Sequence, residues 1–238
     1  MLFHILILAQ LISAAQNILA IVVPPYSFDC NTTPLFQLLL YVFYQLIIVI
    51  LAISPLKRYQ KISDSMLAGQ SIFLFSLHIM AVPRIIPFIW FIAEILFVVT
   101  AIGVAIKPKL LGTALAIGGG YSLSYYLCAL FRMGNMFVFY FQTAILIIGF
   151  MILGFLRSQI QSGLCRGFVL SLTLIQIMDL IIPGINMFYS IHGLSSISFL
   201  GILFFHILFI LFFCAILGWV FFKERIESKL VKQEGSKE

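Results

Sequence analysis

Residues 136–156 read MFVFYFQTAILIIGFMILGFL, a run without a single charged side chain. A helix rises about 1.5 Å per residue, so roughly 20 apolar residues cross the hydrocarbon core of a bilayer. The rest of the chain has the same character. Of its 238 residues 63% are hydrophobic and only 9% charged, with a mean hydropathy of +1.16. Soluble domains are roughly a quarter charged, so the composition excludes an ordinary soluble domain. The fold class it predicts is all-α, a polytopic transmembrane helix bundle in the cell membrane.

Working outward from that run, eight spans are expected, at about 2–23, 34–54, 65–82, 85–106, 109–131, 136–156, 167–188 and 197–222. Proline and glycine punctuate the intervals: Pro24-Pro25, Pro55, Pro83, Lys107-Pro108-Lys109, Gly134-Asn135 and His192-Gly193. With both termini cytoplasmic, Lys57, Arg58, Lys61, Lys107, Lys109, Arg157, Arg166, Lys223, Arg225, Lys229, Lys232 and Lys237 fall inside. Only Arg84 and Arg132 fall outside, as the positive-inside rule requires. Leu2 to Ala15 also has the length of a signal-peptide core, and its cleavage would leave seven spans. It lacks a basic n-region, which favours a retained helix. Seven spans invite comparison with retinal proteins, but span 197–222 has no lysine for a Schiff base, and that resemblance is rejected.

Residues 1–222 are therefore expected to form one bundle, followed by a short charged cytoplasmic tail, 223–238. Ile226, Leu230 and Val231 suggest an amphipathic start to that tail. No soluble catalytic, ATP-binding or nucleic-acid-binding domain is expected, and the net charge of +6 reports topology rather than nucleic-acid binding. Cys30, Cys128, Cys165 and Cys214 form no CxxC, so neither a zinc site nor a redox motif is indicated, and a Cys30–Cys128 bridge is not expected. Asn31-Thr32-Thr33 fits a glycosylation sequon, which matters only in a eukaryotic secretory pathway.

Three short matches recur in order. Tyr41-Val-Phe-Tyr44 resembles Phe137-Val-Phe-Tyr140, with Gln45 and Gln142 following. His78-Ile-Met80 resembles Gln176-Ile-Met178, and Glu94-Ile-Leu-Phe97 resembles His206-Ile-Leu-Phe209. They suggest a 4+4 parallel repeat with halves 1–107 and 108–222. The rival is an undivided bundle.

Polar residues at membrane depth are the candidates for function, because only protein or trapped water satisfies them there. In 175–189, IQIMDLIIPGINMFY, an aspartate interrupts an oily run. Thr173, Gln176, Asp179, Pro183 and Asn186 fall within roughly 140° of a helix at about 100° per residue. Pro183 also frees the carbonyl of Asp179. Intramembrane carboxylates cost ~2.5–3.5 kcal/mol on insertion scales and normally face the bundle interior. Glu94 and His206 each lie near a midplane, His78 is nearer the outer surface, and a Glu94–His206 pair could share one proton. In the fifth span Tyr121 and Tyr125 share a stripe above Gly118-Gly119-Gly120, either a ligand-approached point or a close-packing surface. Gln10, Ser13 and Asn17 in the first span serve as interhelical hydrogen-bonding groups.

Asp179, Glu94, His206, Gln176, Asn186, His78, Tyr121 and Tyr125 thus form the expected intramembrane polar site. No catalytic, cofactor or metal motif occurs. The expectation is a small-molecule or ion- and proton-handling bundle, transporter-like or a membrane sensor. Its partners would be the lipid bilayer, a small molecule or ion, and either a second copy of itself or a separate cytoplasmic output protein. The alternatives are an intramembrane enzyme using a carboxylate–histidine pair on a lipid-type substrate, and a membrane scaffold subunit.

Overall fold

Lys107-Pro108-Lys109 shows how the sequence breaks its helices. The amide of Lys107 closes one helix on the Gly103 carbonyl at 2.8 Å, and Leu110 opens the next by bonding back to Lys107 at 3.0 Å. Pro108, which has no N–H to offer, sits in the turn between them. The computed structural model describes residues 3–8, 10–11, 35–54, 57–79, 86–131, 136–181 and 199–234. Among these it contains helices and short connections, and no strand. The elements are α1 (helical at 3–8 and 10–11), α2 (Leu35–Ile53), α3 (Lys57–Ile79), α4 (Ile86–Ile106), α5 (Leu110–Phe131), α6 (Met136–Leu156), α7 (Ser158–Ile181) and α8 (Phe199–Glu234).

Four of them, over 110–131, 137–156, 158–178 and 205–222, are long and apolar enough to cross a membrane. Three helices outrun the apolar spans expected from sequence. α3 starts at Lys57 rather than 65, α7 at Ser158 rather than 167, and α8 continues through the charged segment to Glu234. Lys, Arg, Gln and Glu are good helix formers. A helix nucleated in an apolar run gains one hydrogen bond for each further residue fixed, so it passes beyond the hydropathy boundary. The expected tail is thus helical as far as Glu234. The outer part of the span expected at 167–188, including Pro183 and Asn186, lies outside the described residues.

α5 is the hub, and its three glycines are the reason. Successive helical residues point about 100° apart, so Gly118, Gly119 and Gly120 face three different neighbours. A Cβ on Gly118 would lie 2.6 Å from Ser71 Oγ and 2.7 Å from Ser71 Cα, on α3. On Gly119 it would lie 2.7 Å from Cys165 Sγ, on α7, and on Gly120 2.7 Å from the Ile147 backbone nitrogen, on α6. Of the two readings of this motif, close helix packing is the one whose contacts are formed.

Burial follows from this arrangement. The α5 and α7 windows are 61% and 67% buried, those of α6 and α8 only 17% each. On α6 the exposed side is the stripe Phe137, Phe141, Ile145, Ile148, Ile152 and Phe155. On α8 Leu203, Ile207, Ile210 and Leu211 do the same.

The close of α2 at Ile53 and the connections at 107–110 and 157 gather at one end. Trp219 Nε1 of α8 donates to the Ile53 carbonyl at the close of α2 (2.7 Å). Gln161 Nε2 of α7 donates to the Gly112 carbonyl in the first turn of α5 (2.8 Å). Gly163 of α7 faces Val220 of α8.

Candidate functional site

α3 and α7 share an apolar core cluster and are also joined by polar side chains. Arg166 Nη2 of α7 donates to Asp64 Oδ1 of α3 at 2.6 Å, with both side chains less than a fifth exposed. Farther along, Gln70 Nε2 of α3 donates to Thr173 Oγ1 of α7 at 3.3 Å. From Asp64 to Gln70 and from Arg166 to Thr173 is about two helical turns, ~10 Å. Both steps run forward along the chain, so the two helices are parallel. α2 packs against both and flanks the seam on one side, while α5 flanks it on the other.

Gln70 lies in this seam, and two further buried glutamines sit on the helices around it. Gln70 lies between Leu67 and Leu74 on α3, Gln45 between Val42 and Val49 on α2, and Gln176 one turn beyond Thr173 on α7. Those four apolar neighbours belong to one core cluster with Val169 and Leu172 of α7. Gln45, Gln70 and Gln176 are 1%, 0% and 5% exposed, and the amide oxygen of each is buried without a hydrogen-bond donor. The hydroxyls nearby are already used. Ser71 donates to the Leu67 carbonyl (2.8 Å), Ser171 to Gly167 (2.6 Å) and Thr173 to Val169 (2.9 Å). A hydroxyl that bonds back along its own helix is satisfied locally, whereas a buried acceptor without a donor costs about 1–3 kcal/mol.

At the end where the connections gather, a crevice of about 340 Å³ opens between α3, α4 and α5. Gln60, Lys61, Asp64 and Ser65 form its polar wall, and Val104, Pro108 and Leu111 the apolar one. Through it the Asp64 carboxylate has access to solvent from that end, while Arg166 holds it from the other side.

The expected site residues are distributed unevenly about the seam. Gln176 is buried on α7, one turn beyond Thr173. Tyr121 and Tyr125 are buried on α5 in an aromatic layer with Phe75, Phe139 and Phe205. His206 belongs to that layer, meeting the Tyr126 ring edge-on at 5.3 Å, with its buried Nδ1 unpartnered. Glu94 is 2% exposed and sits elsewhere: its neighbours Ala93, Phe97 and Val98 pack with Tyr44, Met66 and Phe73 in a second core cluster. Among the described residues α4 is not one of the helices packed closely on α8. Asp179 and His78 fall within helical backbone whose side chains lie outside the described residues, and Asn186 lies outside them altogether. Cys128 is a free thiol whose sulfur lies 3.8 Å from Gln142 Oε1.

Sequence reasoning passed over Asp64, Gln70 and Gln161, and put Arg166 in a loop. The signal was there in part: Asp64 and Arg166 are opposite charges in the opening turns of two helices the repeat pairs with each other. Among the described residues no group of three His, Cys, Asp or Glu side chains is placed to hold a metal. No protein-family model, curated protein or solved structure matches the chain.

Proposed function

We propose that this chain is an integral, multi-pass protein of the cell membrane with eight spans and both termini cytoplasmic. In this reading it moves or senses a small molecule or ion through the α2/α3/α7 seam, with transport the favoured role. The observation that carries the functional part is the set of buried glutamine oxygens without donors, since a purely structural interior would normally pair them. The apolar stripes on α6 and α8 support burial in lipid, for contiguous exposed apolar faces of this kind need a cover. The orientation is supported by the gathering of the basic connections at one end.

Two parallel halves of four helices are part of the proposal. The parallel run of α3 and α7, third helix of each half, supports it. So do matched packings: α3 on α4 as α7 on α8, and α2 on α3 as α6 on α7. Gly69 of α3 lies against the Phe97 ring of α4 (3.1 Å from a Cβ built there) and Gly167 of α7 against Phe213 of α8 (2.9 Å). The halves are not exact copies, for α2 packs on α7 whereas, among the described residues, α6 is not one of the helices packed on α3.

The test is proton flux in proteoliposomes carrying a trapped pH-sensitive dye, with Asp179→Asn as the variant. The expected result is loss of most of the pH-driven flux with folding unchanged. Equal flux from the folded variant overturns the proton-handling role.

A further inference from the structure

We propose that the crevice between α3, α4 and α5 binds the phosphate headgroup of an anionic phospholipid from the cytoplasmic leaflet, with Lys61 as its principal contact. The inference rests on the membrane reading and orientation proposed above, and not on transport.

Hydropathy sets the level of the crevice. The apolar run of α4 ends at Ile106 and that of α5 begins at Leu110. The turn 107–109 between them therefore lies where hydrocarbon gives way to headgroups. Pro108 of that turn lines the crevice, and across from it stand Gln60, Lys61, Asp64 and Ser65 of α3. These belong to the opening turns of α3, which are too polar for the hydrocarbon core. A polar helical face at this depth meets phosphates rather than acyl chains.

Charge decides the sign of the ligand. Asp64, the one acid lining the crevice, already holds the Arg166 guanidinium at 2.6 Å, so that pair carries no net charge. Lys61 lines the crevice, and Lys107 and Lys109 flank Pro108 in sequence. All three lysines are exposed, and among the described residues none makes an ion pair. Glu94, the other carboxylate with a described side chain, is buried midway along α4. A cation entering here would meet unpaired ammonium groups; an anion would meet complementary charge.

The opposite wall decides between a lipid and a free anion. Val104 and Leu111 form it with Pro108, and both pack with Ala68 and Ala114 in a small apolar cluster. Leu110 beside them is 47% exposed. One basic wall and one apolar wall match the boundary between a headgroup and its acyl chains, and a soluble phosphate leaves the apolar wall unused. The volume of about 340 Å³ is that of a small-molecule site. Basic pockets between helices on the cytoplasmic side are the setting in which acidic headgroups are recognised. The Asp64–Arg166 pair then has a second consequence: Arg166 keeps the Asp64 carboxylate from repelling the phosphate.

The experiment is native mass spectrometry of the full-length, detergent-purified chain with equal amounts of phosphatidylglycerol and phosphatidylcholine of the same acyl chains. One phosphatidylglycerol should be retained in preference to phosphatidylcholine. Lys61→Gln, a change at an exposed residue, should weaken that retention about fivefold, the loss of one lysine at a membrane surface. Arg157→Gln, at an exposed basic residue of the same end that does not line the crevice, should leave it unchanged. Arg166→Gln should weaken retention by uncovering the Asp64 charge, and adding Asp64→Asn should restore it. Equal retention of the two lipids overturns the proposal. So does an equal loss in Lys61→Gln and Arg157→Gln, which would mean diffuse attraction to a basic surface. Displacement of the lipid by an equal concentration of glycerol phosphate would show a free-phosphate site and overturn the assignment to lipid. Flotation with phosphatidylcholine vesicles separates the two levels of the argument. A chain that floats but shows no lipid preference loses the site and keeps the membrane reading, whereas a chain that does not float loses both.

Discussion

Replacing each glycine of the 118–120 triplet by alanine tests the packing that holds α5 at the centre. The added methyl would lie 2.6–2.7 Å from Ser71 atoms at Gly118, 2.7 Å from Cys165 Sγ at Gly119, and 2.7 Å from the Ile147 nitrogen at Gly120. Side-chain Cβ atoms essentially never approach closer than 3.0 Å, and each contact includes backbone atoms that cannot swing aside. Overpacking of this kind costs typically about 1–3 kcal/mol. Alanine returns up to about 1 kcal/mol through its helix propensity. Since contacts below 3.0 Å to backbone put the cost in the upper part of that range, about 2–3 kcal/mol, a net loss of about 1–2 kcal/mol is left. For a chain of this size that lowers the unfolding midpoint by roughly 2–8 °C. Gly149 on α6 and Gly218 on α8 are the internal controls, since a methyl on either meets nothing within 4 Å. There the same substitution should be neutral or stabilising by up to about 1 kcal/mol. Midpoints from fluorescence-detected gel filtration of heated, detergent-purified protein would rank the five variants. If the three central variants are as stable as Gly149→Ala, the close-packed hub is wrong.

Two further outcomes follow from the same contacts. Asp64→Ala and Arg166→Ala should each destabilise by about 1–3 kcal/mol, below the loss for a fully buried pair because both groups keep some water. The double variant should lose less than the sum, a coupling that a double-mutant cycle reads directly. For topology, cysteines placed at Lys107 and Lys109 in a cysteine-free background should react with a membrane-impermeant maleimide only in inside-out vesicles. Labelling from the outside would reverse the proposed orientation.

Much of the fold was legible in the residues because its cause is local. An uncharged run such as 136–156 has one stable form in lipid, and α6 occupies that interval. Where hydropathy and helix part company the reading failed. Lys57 to Asp64 and Ser158 to Arg166 are too polar to count as span, yet they are good helix formers attached to a growing helix. The same blind spot hid Asp64 and Arg166, whose partnership joins residues about a hundred positions apart and leaves no local trace.

The candidate site divides along the same line. Periodicity put Thr173 and Gln176 on one face; both are buried, and Thr173 meets Gln70 in the seam. It carried no information about the facing helix, so Gln70 went unnoticed. A short repeated motif suggested that Glu94 and His206 match, but similarity between halves fixes equivalent positions, not contact. The two residues pack in different clusters.

By itself, then, the sequence determined a chain of apolar helices, their breaks at proline and glycine, and the basic character of one set of connections. These follow from bilayer thickness, backbone hydrogen bonding and charge, all properties of segments taken singly. Tertiary structure alone decided which polar groups find partners. Three adjacent glycines draw α3, α6 and α7 onto α5, and parallel α3 and α7 bring Asp64 to Arg166 and Gln70 to Thr173. Three buried glutamine oxygens are left without a proton to accept. Satisfaction of a buried polar atom is a property of its neighbours, and neighbours are chosen by packing.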